Sequence, residues 1–135
     1  MIKVKIVAND ISTVAKVVFI DQESKVLFLK RSDYVEKFAG DWDLPGGHLK
    51  ASESLPDGLA REVKEETSLD VRDPVFLLQL DNIHFFYAMY DSQPVDLSHE
   101  HVDFKFFEKS ELDPNQKFQR VAIKALEARN EISNS

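Results

Sequence analysis

The chain has no cysteine in its 135 residues. That excludes disulfides, thiolate nucleophiles and Cys-ligated zinc, and it points toward a cytoplasmic setting and chemistry without sulfur. Glycine and proline are few, at 4 and 5 residues, and no Pro/Gly/Ser-rich linker, low-complexity tract or internal repeat divides the chain. One domain spanning residues 1–135 is therefore expected. No apolar run approaches the roughly 20 residues that a membrane helix needs, so no membrane partner is expected. The first residues, Met1-Ile2-Lys3-Val4-Lys5-Ile6-Val7, alternate charge with apolar side chains and read as a strand, not a signal peptide. Positive charge is also in deficit. Twenty-four acids against 17 bases leave a net charge of −7, which opposes a polyanion approaching over a broad surface and disfavours extended nucleic acid. An acidic protein can still act on phosphates when divalent cations stand between its carboxylates and the substrate.

Strands are expected at Val4–Ala8, Val14–Ile20 and Lys25–Lys30, with a short one at Trp42–Leu44 inside a long loop running from Arg31 to Gly47. A helix follows. Ser54 is a suitable N-cap with Asp57 three residues on, and Pro56 falls in the first turn. Leu55, Leu59, Ala60 and Val63 have the spacing of one buried face. Val75–Leu80 and Ile83–Tyr90 read as a hairpin turning at Asp81-Asn82. A polar loop over Asp91–His101, a strand at Phe104–Phe107 and a helix near Asn115–Arg129 complete the chain. Hairpins with one inserted and one terminal helix argue for an α+β fold.

The stretch that carries chemistry runs from Gly46 to Leu69. On a helix, Glu62, Glu65 and Glu66 are related by i, i+3 and i+4, so three like charges share one face and repel by about 0.2–0.5 kcal/mol per i, i+4 pair. A hard divalent cation resolves that repulsion, and oxygen-only ligands favour Mg²⁺ or Mn²⁺ over zinc. Ahead of the helix, Pro45-Gly46-Gly47 lets the backbone come close and offers a carbonyl as a further oxygen ligand.

Gly47, Glu53 and the run Arg61-Glu62-Val63-Lys64-Glu65-Glu66-Thr67-Ser68-Leu69 closely resemble the Nudix box, Gly-x5-Glu-x7-Arg-Glu-U-x-Glu-Glu-x-Gly-U with U aliphatic. Only Ser68 departs, standing where the pattern has glycine. A serine there carries no ligand role and costs about 1 kcal/mol or less. The helix is expected to end by a turn without left-handed geometry. The resemblance implies the Nudix fold, a mixed β-sheet sandwiched between helices (α/β/α). It implies Glu62, Glu65, Glu66 and the Gly46 carbonyl as metal ligands, and Arg61 paired with Glu53 to hold the loop on the helix. The reaction it implies is water attack on a phosphorus of a diphosphate linkage, with Mg²⁺ or Mn²⁺ as cofactor and a carboxylate as base. Glu65, Glu66 and the loop acid Glu100 are the candidates for that base.

Lys30 and Arg31 close the third strand and are candidates to hold terminal phosphates, the alternative being a solvated strand end. Trp42, Phe38 and Tyr34 lie in the long loop and are candidates for stacking on a base, with packing the stronger reading for Trp42. His48, His84, His99 and His101 show no metal-ligand spacing on a helix, and His99 and His101 read as surface residues. Phe85-Phe86-Tyr87 reads as core. Within the family, the short chain and the Pro-Gly-Gly ahead of the box look like the MutT-type nucleoside triphosphate pyrophosphohydrolases. ADP-ribose and dinucleoside polyphosphates stay open as substrates, and the rival from another class is a Nudix-like module that binds a nucleotide without cleaving it. The expected partner is a small nucleotide, and a homodimer stays open.

Overall fold

The computed structural model describes residues 13–32 and 41–134. The expected strand Val4–Ala8 and the loop aromatics Tyr34 and Phe38 lie outside these residues. Seven strands form one mixed sheet: β1 (Val14–Ile20), β2 (Val26–Arg31), β3 (Trp42–Asp43), β4 (Gly46–His48), β5 (Val75–Leu80), β6 (Ile83–Met89) and β7 (His101–Phe107). Helix α1 (Leu55–Thr67) and helix α2 (Lys117–Asn134) cover its two faces.

The central strand β1 is buried along its whole length, so it reads as an apolar run interrupted only by Lys16, instead of an alternating one. Its side chains still divide by face. Ala15, Val17 and Phe19 join Leu59 and Val63 of α1, whereas Val18 and Ile20 join Val121, Ala122, Ala125 and Leu126 of α2. Burying a residue such as Leu59 contributes about 1.5–3 kcal/mol. Strand β6 runs parallel to β1 over Val14–Ile20, and β5 pairs antiparallel on its far side.

Beyond the hairpin pair Ile20↔Val26, β1 and β2 separate. Strand β2 continues along β7, and the opening between β1 and β2 is closed by the chain from Trp42 to His48. Within it, β3 pairs with β2 at Leu29↔Asp43, and β4 pairs with β1 at Lys16↔Gly46. The end of the long loop expected over Arg31–Gly47, from Trp42 onward, is thus a bridge between two strands. Gly46-Gly47-His48 has no strand propensity of its own and is extended because β1 supplies its ladder.

Four local expectations need correction. Ser68 adopts left-handed geometry (φ 67°, ψ 8°) and its N–H donates to the Lys64 carbonyl, so it fills the αL cap that glycine takes in the box; its hydroxyl also bonds the Asp96 carbonyl at 3.3 Å. Ala60 is exposed and Gly58 is buried in its place, against Leu49. Strand β7 begins at His101, three residues earlier than expected, because it pairs with β2 back to Arg31. Helix α2 begins at Lys117, two residues after the expected start, following the turn in which Gln116 N–H donates to Asp113.

Candidate active site

Helix α1 is defined by local chemistry. The Ser54 hydroxyl accepts from the Asp57 N–H at 3.2 Å, and Pro56 sits where a missing N–H is harmless. At the other end, the Asp91–Glu100 loop satisfies the last carbonyls: Asp96 N–H donates to Thr67 and Ser98 N–H to Glu66, both at 2.9 Å. Those bonds fix the loop across the end of α1. Glu100 itself is exposed, and its carbonyl accepts from the Ser32 N–H at 2.8 Å at the end of β2.

Arg61 stands at the centre of the helix's acidic face. Its Nε and Nη2 hold the two Glu53 oxygens at 2.8 and 3.0 Å, and Nη2 also reaches the His48 carbonyl at 3.1 Å. Its Nη1 reaches Glu62 at 3.0 Å and Glu65 at 3.3 Å. The Arg61 hydrogen bonds hold the Glu53 carboxyl at about 2, and the same bond from Glu53 raises the Arg61 guanidinium further above its ordinary value. Glu66 is turned away from this group. Its carboxyl is buried and accepts the Gly46 N–H at 2.8 Å. Burial pushes it up to about 8, against the pull of the Gly46 N–H and the Lys16 ammonium.

The two glycines of the bridge are needed for different reasons. Gly46 has φ +135° and lies on β1, where a Cβ would come within 2.1 Å of the Ala15 carbonyl oxygen. Gly47 lies under Glu62, whose Oε1 would be 2.2 Å from a Cβ. Glu62 therefore rests on the bare backbone of Gly47. Among the described residues, no three acidic or histidine side chains converge on one point; the Arg61 guanidinium stands between Glu62 and Glu65 as their counter-charge. The donor set nonetheless fits a hard divalent cation. It is all oxygen, Glu62 lies against Gly47, and Glu66 is a buried carboxyl that favours its neutral form when no cation is near. The Arg61 anchors on Glu53 and His48 use Nε and Nη2, separate from the Nη1 that reaches Glu62 and Glu65.

The other candidates fall elsewhere. Trp42 packs edge-on against Phe107, with ring centroids 5.2 Å apart, at the α2 face. Lys30 is half-buried in β2, opposite Trp42. Arg31 turns inward to Asp43 at 3.1 Å. The reading of His101 as a surface residue is wrong: its side chain has no exposed area and its Nε2 lies 3.9 Å from Asp43.

Lys16 and Asp43 were not among the candidates. The Lys16 ammonium donates to Asp43 and to the Leu44 carbonyl, both at 3.0 Å, and lies over the Phe118 ring. One sequence signal pointed there: a lysine inside the otherwise apolar run Val14–Ile20 needs a buried acceptor.

A mixed sheet between two helices, with a carboxylate-bearing helix packed under a glycine bridge, defines an α+β domain of a recognisable class. The chain belongs to the Nudix hydrolase family, the NUDIX domain matching residues 11–129. A MutT protein from Methanosarcina mazei superposes with a TM-score of 0.69 at 26% identity, covering 87% of this chain and 94% of that one. An ADP-ribose pyrophosphatase from Streptococcus suis gives a TM-score of 0.71, also at 26% identity, covering 87% and 90%. An ADP-ribose pyrophosphatase from Methanocaldococcus jannaschii is 38% identical over 50 residues, which is 37% of this chain and 28% of that protein. The matches to three curated relatives each span less than a third of the relative's length.

Proposed function

We propose that the chain hydrolyses a phosphoanhydride bond in a nucleoside diphosphate linked to another group, with a nucleoside triphosphate as the leading substrate. The observation that carries the proposal is the set Glu62, Glu65 and Glu66 along α1, with Glu62 against Gly47, Glu66 bonded to the Gly46 N–H and Glu65 beside them on Arg61. These three carboxylates, with the Gly46 carbonyl, are the residues that would hold Mg²⁺ or Mn²⁺. When bound, the ion neutralises phosphate charge and lowers the pKa of water.

The chain's own groups supply the rest. Arg61, fixed by Glu53 and the His48 carbonyl, keeps α1 docked on the bridge while its Nη1 exchanges partners. A carboxylate oxygen of Glu65, Glu66 or Glu100 takes a proton from the attacking water as the new P–O bond forms. The old anhydride P–O bond breaks, and for a nucleoside triphosphate the products are the monophosphate and pyrophosphate. Solved relatives named as a MutT protein and as an ADP-ribose pyrophosphatase support the chemistry and keep ADP-ribose open as an alternative substrate.

The test is a phosphate-release screen with Mg²⁺ and Mn²⁺, coupled to pyrophosphatase or alkaline phosphatase, over nucleoside triphosphates, oxidised deoxynucleotides, ADP-ribose, NADH and dinucleoside polyphosphates. The expected result is metal-dependent release from one class, abolished by Glu66→Gln. Near wild-type turnover by Glu66→Gln at saturating Mg²⁺ would remove Glu66 from the site. No release from any compound, with nucleotide binding seen by thermal shift, would favour a binding module.

A further inference from the structure

The bridge from Trp42 to His48 crosses from one strand to another in very few residues: Asp43 is paired to β2 and Gly46 to β1. At Gly46 it must present an N–H to Glu66 at 2.8 Å. A bridge of that kind pivots unless both abutments grip it. One buried carboxylate grips both. Asp43 Oδ1 accepts from Lys16 on β1 at 3.0 Å and from its own neighbour Leu44 N–H at 2.8 Å, while Oδ2 accepts from Arg31 on β2 at 3.1 Å. Lys16 adds a second grip through the Leu44 carbonyl, and Val17 N–H a third through the Pro45 carbonyl at 2.9 Å. The buried His101 of β7 lies beside the carboxylate, its Nε2 3.9 Å from Oδ2. Burial opposes the charge on Asp43, yet Lys16, His101 and Arg31 together hold it at about 2, so the tether stays ionised across the neutral range.

We propose that Asp43 is the positioning residue of the site: with Lys16 and Arg31 it clamps the Trp42–Gly46 bridge between β1 and β2, and through the Gly46 N–H it sets the direction of the Glu66 carboxylate. The inference rests on the proposed function for its kinetic consequence and stands apart from it in its structural one.

Asparagine at position 43 keeps the shape and offers one oxygen where two are in use. Its amide NH₂ must then face either Lys16 or Arg31, donor against donor, so one grip opens. The first measurement is amide hydrogen exchange by NMR on the protein without metal or substrate, comparing wild type, Asp43→Asn and Lys16→Met/Asp43→Asn. The double variant removes both buried charges and carries the experiment should the single one not fold. We expect the Gly46 and Val17 amides to exchange at least tenfold faster in each variant. The Tyr90 amide, which donates to Ile20 at the far end of β1, should stay within twofold. The second measurement is turnover on the substrate found in the screen: kcat falls at least tenfold while KM stays within threefold, and the double variant recovers thermal stability without recovering kcat. Gly46 and Val17 exchange within twofold of wild type overturns the inference, as does turnover that stays within twofold after those amides have loosened. If the wild-type protein turns over none of the compounds, it is the proposed function that fails, and the Gly46 amide alone decides the clamp.

Discussion

Adding a single methyl group to Gly46 and, separately, to Gly47 separates a backbone requirement from a ligand requirement at adjacent positions. At Gly46 the new Cβ meets fixed backbone, 2.1 Å from the Ala15 oxygen and 2.7 Å from the Lys16 Cα, at a φ of +135° that L-residues rarely adopt. Neither obstacle can move without parting β4 from β1. Strain of about 1–3 kcal/mol for the dihedral and a similar overpacking term predict a loss of about 2–6 kcal/mol. At roughly 3–4 °C per kcal/mol for a domain of this size, Gly46→Ala should lower Tm by about 6 °C or more. At Gly47 the nearest atoms are the Oε1 and Cδ of Glu62, the far end of a flexible side chain. The carboxylate swings aside and loses its 3.0 Å pair with Arg61, about 0.5–1 kcal/mol for a pair that keeps partial access to water. The reduced freedom of the unfolded chain offsets that by about 0.4–1 kcal/mol. Gly47→Ala should therefore melt within about 4 °C of wild type and still lose at least about tenfold in turnover and in Mn²⁺ affinity, because Glu62 has been displaced. Thermal unfolding followed by circular dichroism, with Mn²⁺ titration by electron paramagnetic resonance, reads both effects. A Gly47→Ala protein with intact Mn²⁺ affinity, or a Gly46→Ala protein that melts with wild type, would refute the reasoning.

Three further expectations follow from single contacts. Asp43 is held at about 2 against an ordinary 3.8, so it stabilises the fold above pH ~4 by about 2 kcal/mol, and that contribution is lost as pH falls through 2; in urea unfolding, the gap between wild type and Asp43→Asn should narrow from pH 4 to pH 2, and a constant gap would contradict the assignment. Ser68→Gly should raise stability by up to about 1 kcal/mol, since φ 67° suits glycine and the hydroxyl's bond to Asp96 is exposed; a loss above 1 kcal/mol in the same assay would show that bond to matter more. Trp42→Ala should cost about 2–3 kcal/mol, somewhat under the usual range for a fully buried Trp because the side chain is half-exposed, and leave KM within about threefold, because the indole packs on Phe107. A large rise in KM with little loss of stability would make Trp42 a stacking residue instead.

What could be read from the residues alone was whatever depends on near neighbours. Ser54 and Pro56 start α1, i, i+3 and i+4 spacing puts Glu62, Glu65 and Glu66 on one face, and Asp81-Asn82 turns the β5–β6 hairpin, because each of these acts over four residues or fewer. The run Val14–Ile20 announced a strand, though not that it would be buried on both faces or which face each side chain meets. The left-handed geometry of Ser68 is not local in origin, since it answers to the helix end and to the Asp96 carbonyl, 28 positions away. Partners far apart in the chain were out of reach. Lys16 and Asp43 are separated by 27 positions, Gly46 and Glu66 by 20, and nothing in their local sequence couples them. Whether His101 is wet or buried depends on β7 pairing with β2 back to Arg31. The sequence by itself determined the helix, its acidic face and the glycines before it, since these are local in origin. Only the tertiary structure decided that β1 and β2 part and that the 42–48 segment bridges them, with one buried carboxylate gripping both sides, since strand pairing and desolvation depend on what the folded chain brings together.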